Sequence, residues 1–298
     1  MDRTMMQERI DTRIQHDEIM SSLVTLTFII IITTGCGNYA EAQWRGALIS
    51  DKTQIDELVD VTNSFAFEPN SITELTETLQ YNNGRLMPFV ELSRYLWNDE
   101  TGLFEIRGVD ELRDAIGREK IIIMLNEPLW RIRRACESGN QNSCQEISHW
   151  YRNTQEVFSE IKYLLGYQMF HVEAYAELID QKSQFGKVMV ISAADHVGFN
   201  CYGAIDDCYG HSQWEYGGWI YEAIAVTGKR IILTVGTWEF DAVDVVVSQI
   251  DQYFDIFRSR PDIFSGIGAF TWGDSGGVIG AREIPEIREA LINQFKEN

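Results

Sequence analysis

Short unbroken apolar runs alternate along the chain with longer stretches in which apolar residues recur every three or four positions. "KIIIMLN" (120–126) and "RIILTV" (230–235) are continuous and rich in β-branched residues, the pattern of strands buried on both faces. "AVDVVVSQIDQYFDIF" (242–257) has the spacing of one apolar helix face. On these criteria strands are predicted at Trp44–Ser50, Asn63–Phe67, Arg85–Glu91, Lys120–Asn126, Met169–Ala174, Lys187–Ser192, Arg230–Val235 and Gly266–Thr271. Helices are predicted between them at Gln54–Val61, Ser71–Leu79, Val109–Ile116, Gln145–Leu165, His211–Val226, Ala242–Arg258 and Ile284–Gln294. The stretch after Met169 stays open, because "FHVEAYAELIDQ" also reads as continuous helix. Gly228 follows a helical pattern and precedes a strand, where a glycine ends a helix. Strands and helices alternating in this order over residues 44–298 match an α/β fold of the (β/α)8 TIM-barrel type. A doubly wound open sheet is the alternative. No GxGxxG follows the first strand, which disfavours its dinucleotide-binding form.

The first 36 residues read as a leader and 37–43 as a short spacer. The apolar stretch Leu23–Ile32 is too short to span a bilayer as a helix and suits the core of an export signal. It ends Thr33-Thr34-Gly35-Cys36, which resembles a bacterial lipoprotein signal, where a small residue precedes a lipidated cysteine. The resemblance implies lipidation at Cys36 and an extracytoplasmic, membrane-anchored protein. Thr33 stands where that signal usually has Leu, and Met1–Met20 carries more acids than bases. Cleaved secretion, an uncleaved anchor and a cytoplasmic location therefore stay open, as does a start at Met20.

The remaining cysteines fall into two local pairs in polar loops, "CESGNQNSC" (Cys136, Cys144) and "CYGAIDDC" (Cys201, Cys208). Each pair can close a short disulfide in an oxidising compartment. No CxxC spacing occurs and no His adjoins either pair, so no metal site is expected. The formal charge of −20 argues against nucleic acid or anionic lipid head groups, which need clustered Lys and Arg.

In such a barrel the chemistry sits where strands end and loops begin. The predicted ends present Glu91, then Arg94, Tyr95 and Trp97; Asn126, Glu127 and Trp130; Asp195, His196, Asn200 and Tyr202; Thr237, Trp238 and Glu239; and Trp272 and Asp274. Carboxylates bind hydroxyls and aromatic faces pack on the C–H faces of sugar rings, so the set suits a carbohydrate. Each residue also has a plainer role: Glu127 as a helix-start carboxylate, Trp238 and Trp272 as packing, Tyr202 against a disulfide, His196 as a loop hydrogen-bonder.

Asn126-Glu127-Pro128 at the end of a fourth strand resembles the clan of retaining (β/α)8 glycoside hydrolases that includes cellulases, mannanases and β-galactosidases. "DHVGFNCYG" and "GAFTWGDSGG" are similar to its sixth- and eighth-strand patterns. The resemblance implies that Glu127 is the acid/base and Asn126 the amide on the sugar's 2-hydroxyl. It places Tyr202 near the site and Trp272 as the floor of a sugar subsite. Trp238, Glu91 and Asp195 are further substrate-binding candidates. No cofactor is implied, and the partner is an oligosaccharide or polysaccharide. Retention requires two carboxylates about 5 Å apart. The clan's seventh strand ends in the nucleophile, but here the expected position falls at Val235 or Gly236 and the first carboxylate is Glu239. Either Glu239 reaches the site as nucleophile, or it is absent; then Glu91, Glu173 or Asp195 assists an inverting or non-standard reaction, or the barrel only binds polysaccharide at the cell surface.

Overall fold

A computed structural model describes residues 43–126, 128–141, 143–144, 147–165, 168–174, 193–201, 228–238, 241–275 and 277–297. Eight parallel strands close into a barrel. They are β1 (Trp44–Leu48), β2 (Ser64–Phe67), β3 (Met87–Glu91), β6 (Ile122–Asn126), β7 (Gln168–Ala174), β8 (His196–Cys201), β9 (Arg230–Gly236) and β10 (Phe264–Phe270). The ring is completed by β1 against β10, with Trp44 opposite Gly266 and Ala47 opposite Ala269. Two short strands, β4 (Trp97–Asn98) and β5 (Leu103–Phe104), form an antiparallel hairpin after β3.

Strand alternation sorts the apolar residues into two compartments. On β6, Ile122 and Met124 join Trp44, Phe89 and Ile232 inside the barrel. Ile123 and Leu125 point outward into the layer beneath the helices. Several buried rows have this form, and each fully buried Leu or Ile contributes about 1.5–3 kcal/mol. Outside, α7 (Val243–Ser259) buries Val246, Ile250, Phe254 and Phe257, and Phe254 meets Phe295 of α8 (Pro285–Lys296) edge-on. Ser71 caps α2 (Ile72–Asn82) by accepting from the Glu74 N–H at 3.1 Å, while the Glu74 carboxylate accepts from the Asn70 N–H. Gly228, just ahead of β9, has the left-handed φ of +63° expected of a helix-stopping glycine.

Two expectations are corrected. The sixth barrel strand is His196–Cys201, and the stretch Lys187–Ser192 assigned to it lies outside the described residues. The first helix is a single turn, α1 (Ile55–Leu58), after a 3-10 turn. The stretch at Met169 is a strand, not a helix. The helix candidate His211–Val226 lies outside the described residues. Further elements were not anticipated: the β4–β5 hairpin, the single turn α3 (Ser93–Leu96), a 3-10 turn at Ala281–Glu283, and α5 (Pro128–Glu137), which begins at the proline of Asn-Glu-Pro. Among the described residues the remaining helices are α4 (Val109–Ile116) and α6 (Ile147–Leu165). Cys136 and Cys144 form a disulfide. Cys208 lies outside the described residues, as do Cys36 and the whole leader. Among the described residues no helix is long and apolar enough to cross a membrane.

The barrel interior is filled unevenly, and its glycines differ accordingly. A Cβ on Gly46 would stand 2.4 Å from the Ser64 carbonyl oxygen, whereas on Gly268 its nearest neighbour is 4.0 Å away. Gly46→Ala is expected to destabilise the protein by about 1–3 kcal/mol, the usual cost of overpacking. Gly268→Ala should cost well under that. Urea unfolding of the two variants checks this, and equal losses would contradict it.

Candidate functional site

The two-residue period that fills the interior also builds the mouth. Met87 and Phe89 alternate inward on β3, and Glu91, next in that row, ends the strand. Ile122 and Met124 do the same on β6, and Asn126 ends it. Both residues line a cavity of about 450 Å³ at the C-terminal mouth, together with Glu68, Arg94, Arg131 and Phe270. Its size falls in the usual range for small-molecule sites, about 300–1,000 Å³. Below it, a smaller space of about 80 Å³ inside the barrel is bounded by Trp44, Phe89, Met124 and Ile232.

Arg131 of α5 organises one side of this mouth. Its Nη2 lies 3.0 Å from Glu91 Oε1 and 3.8 Å from Glu68 Oε1. Its Nε donates to the Asn126 carbonyl at 3.3 Å. The Asn126 N–H donates to Ser93 Oγ at 2.8 Å. The Asn126 backbone is thus held on both its donor and its acceptor side, and that carbonyl belongs to the peptide joining Asn126 to residue 127. Arg94 pairs with Glu68 at 3.2 Å and also donates to the Asn70 side-chain oxygen. Glu91 is 5% exposed. Burial, reinforced by the neighbouring Glu68 charge, pushes its carboxyl up to about 7, against the pull of Arg131 and a hydrogen bond with Ser93.

The aromatic residues are distributed differently from expectation. Trp272 was expected to floor a sugar subsite, but it is 1% exposed, and its Nε1 donates to Glu57 Oε2 at 3.1 Å. It has already left β10 and packs behind the barrel. Phe270, which continues the inward row Gly266–Gly268, lines the cavity in its place. Trp238 packs edge-on against Phe270, with ring centroids 5.5 Å apart. Asp195 is also corrected: it precedes β8 and lies at the opposite, N-terminal end of the barrel, paired with Lys162. His196 is not in a loop. It opens β8 inside the barrel, 3% exposed, with Nδ1 against Ser265 Oγ at 3.1 Å and its ring against Trp44.

Glu127, Tyr202 and Glu239 lie outside the described residues. The flanking strands are described. β6 delivers Asn126, the residue before Glu127, to the mouth. β9 ends at Gly236, and Thr237 turns away, buried, donating to the Phe270 and Thr271 carbonyls. Sequence reasoning missed Glu68, Arg131 and Phe270. Glu68 directly follows β2, and Phe270 was one step of two from Gly268, so both were within reach of strand periodicity. Arg131 needed α5 to be recognised. Among the described residues no group of His, Cys, Asp and Glu side chains is arranged to hold a metal ion.

The closed barrel defines the class as a (β/α)8 fold, with a polar cavity at its C-terminal rim. Its structural neighbours are glycoside hydrolases of that fold. The chain superposes on an endo-1,4-β-mannanase from Rhizomucor miehei with a TM-score of 0.54 at 12% identity, covering 85% of this chain and 94% of that one. A β-glycosidase gives 0.51 at 16% identity, covering 83% and 85%. A triple mutant of an endo-β-1,4-glucanase from Xanthomonas axonopodis pv. citri gives 0.51 at 11%, covering 88% and 96%. At such identities the likeness is one of fold. No family model and no curated protein matches the sequence.

Because the folded-state value of Glu91 lies above the ordinary 4.5, the folded protein holds that proton more tightly than the unfolded chain. The stability this supplies is complete below about pH 4.5 and is lost as pH rises toward 7. Glu91→Gln is expected to flatten the decline of unfolding free energy across that window in urea titrations. An unchanged slope would show that Glu91 ionises as freely folded as unfolded.

Proposed function

We propose that this chain is an exported glycoside hydrolase that cleaves a β-linked glycan by double displacement, anchored to a membrane by a lipid on Cys36. The observation that carries the reading is Asn126: it ends the fourth barrel strand, opens onto the mouth cavity, and is followed directly by Glu127. In this reading the Glu127 carboxyl protonates the leaving glycosidic oxygen while the Glu239 carboxylate attacks the anomeric carbon. The resulting glycosyl ester is then hydrolysed by a water that gives its proton back to Glu127. The Asn126 amide holds the sugar's 2-hydroxyl, Phe270 offers a ring to a C–H face, and Tyr202 and Trp238 complete the surround. In this reading the charge of the Glu239 carboxylate is what favours the protonated form of Glu127. The Cys136–Cys144 disulfide supports an oxidising compartment outside the cytoplasm.

A second reading, a polysaccharide-binding barrel without turnover, draws support from the seventh strand. β9 ends at Gly236 with no carboxylate at its tip, and Glu239 comes three residues later.

The test is hydrolysis of aryl β-glycosides and β-1,4-linked mannan and glucan by the wild type, Glu127→Gln and Glu239→Gln. Both variants are expected to lose at least about 100-fold in kcat, the scale of a lost general acid or nucleophile. Loss in Glu127→Gln alone would assign the nucleophile elsewhere. Binding of mannan or glucan with no turnover by the wild type would replace the enzyme with the binding barrel.

A further inference from the structure

A second depression borders the mouth cavity. A groove of about 460 Å³ is lined by Trp97, Asp99, Arg131, Arg134, Ser138 and Asn140. Arg131 lines both spaces, so the groove and the mouth are immediate neighbours. Its walls are the β4–β5 hairpin on one side and, on the other, the end of α5 with the loop that follows.

These walls are fixed by several independent ties. Trp97 packs edge-on against Phe104 at 5.1 Å, and its Nε1 donates to Asp99 Oδ1 at 3.0 Å, which sets the plane of the indole. The Asn140 amide donates to the carbonyls of Asp99 and Glu100 at 3.2 and 3.3 Å. Ser143 Oγ donates to the Gly102 carbonyl at 2.7 Å. The Cys136–Cys144 disulfide closes the same loop. A surface already ordered in this way loses little conformational freedom when something binds it.

We propose that this groove is a second saccharide subsite, occupied by sugar units of the same neutral glycan chain that enters the mouth, with Trp97 as its stacking face. An indole edge-packed on one side offers its remaining surface to the C–H face of a pyranose. Ser138 Oγ, whose own proton goes to the Arg134 carbonyl at 2.8 Å, keeps acceptor capacity for a sugar hydroxyl, and the Arg134 guanidinium, paired with Glu137 at 3.6 Å, lines the same groove. The occupant is placed by adjacency: a glycan long enough to leave the mouth beside Arg131 has Trp97 in the neighbouring groove. The inference rests on the reading of the mouth as a glycan site, and it makes that site one for oligosaccharides rather than single sugars.

The experiment compares the wild type with Trp97→Ala and Ser138→Trp on cello- and manno-oligosaccharides of two to six units and on a single-sugar aryl β-glycoside. Dissociation constants come from calorimetry and kcat/KM from hydrolysis. Ser138 is exposed, so Ser138→Trp fills the groove without touching the core and stands in should Trp97→Ala not fold. In the wild type, affinity is expected to rise with chain length. Both variants should lose about tenfold on the longest chains, the size of one aromatic contact, while the aryl glycoside is handled within twofold. Weakening of short and long substrates alike, or no length dependence in the wild type, would overturn the subsite while leaving a glycosidase standing. Length-dependent, Trp97-dependent binding without turnover would keep the subsite and remove the enzyme. A wild type that neither binds nor cleaves any of these sugars removes both.

Discussion

A strand in a closed barrel has one face toward the axis and one toward the helices, and that restriction organises the whole molecule. Once Phe89 and Met124 are committed to the interior, Glu91 and Asn126 have no other direction to face. The register of β3 on β6, with Glu91 opposite Met124, sets Asn126 a step nearer the rim. The polar mouth is therefore a by-product of core packing: the same inward rows that are apolar below turn polar at their last member. A slip of one residue in either strand would send the carboxylate or the amide into the helix layer.

The cost of this arrangement is a buried carboxylate. Glu91 is tolerated because Arg131 meets it and Ser93 hydrogen-bonds it. Buried ion pairs of this kind rarely add much net stability against an apolar replacement, but removing one partner strands the other. What Arg131 supplies here is position. Through its contact with the Asn126 carbonyl it links the end of the third strand to the end of the fourth. Specificity of geometry, more than free energy, accounts for placing an ion pair at that point.

Much of the barrel was readable because fully buried parallel strands are written as continuous apolar runs. "IIIMLN" and "RIILTV" could hardly be anything else, and the Gly228 stop is a local backbone requirement. The sixth strand escaped for the opposite reason. "HVGFNC" carries polar residues, and the partners that allow His196 into the interior, Ser265 and Trp44, are 69 and 152 positions away in sequence. "KVMVIS" looks more like a strand than the real one does. At the mouth, Asn126 and Glu91 followed from strand ends alone. Trp272 misled by its size: its indole is satisfied by Glu57, a contact that local sequence does not announce. Arg131 was hidden because a helix start was weighed at Glu127 but no helix was placed after Pro128, where proline suits the first turn.

Ring closure also sets a timetable. Leu48 of the first strand accepts from the Trp272 N–H, and Gln43 donates to the Phe264 carbonyl, a separation of 221 residues. The barrel therefore has no complete ring until nearly the last part of the chain has been synthesised. Until then the first strand carries an unpaired edge, and contacts so distant in sequence form slowly. The closing contact thus joins the first strand to the last, and no stretch of chain that stops short of β10 can hold the ring shut.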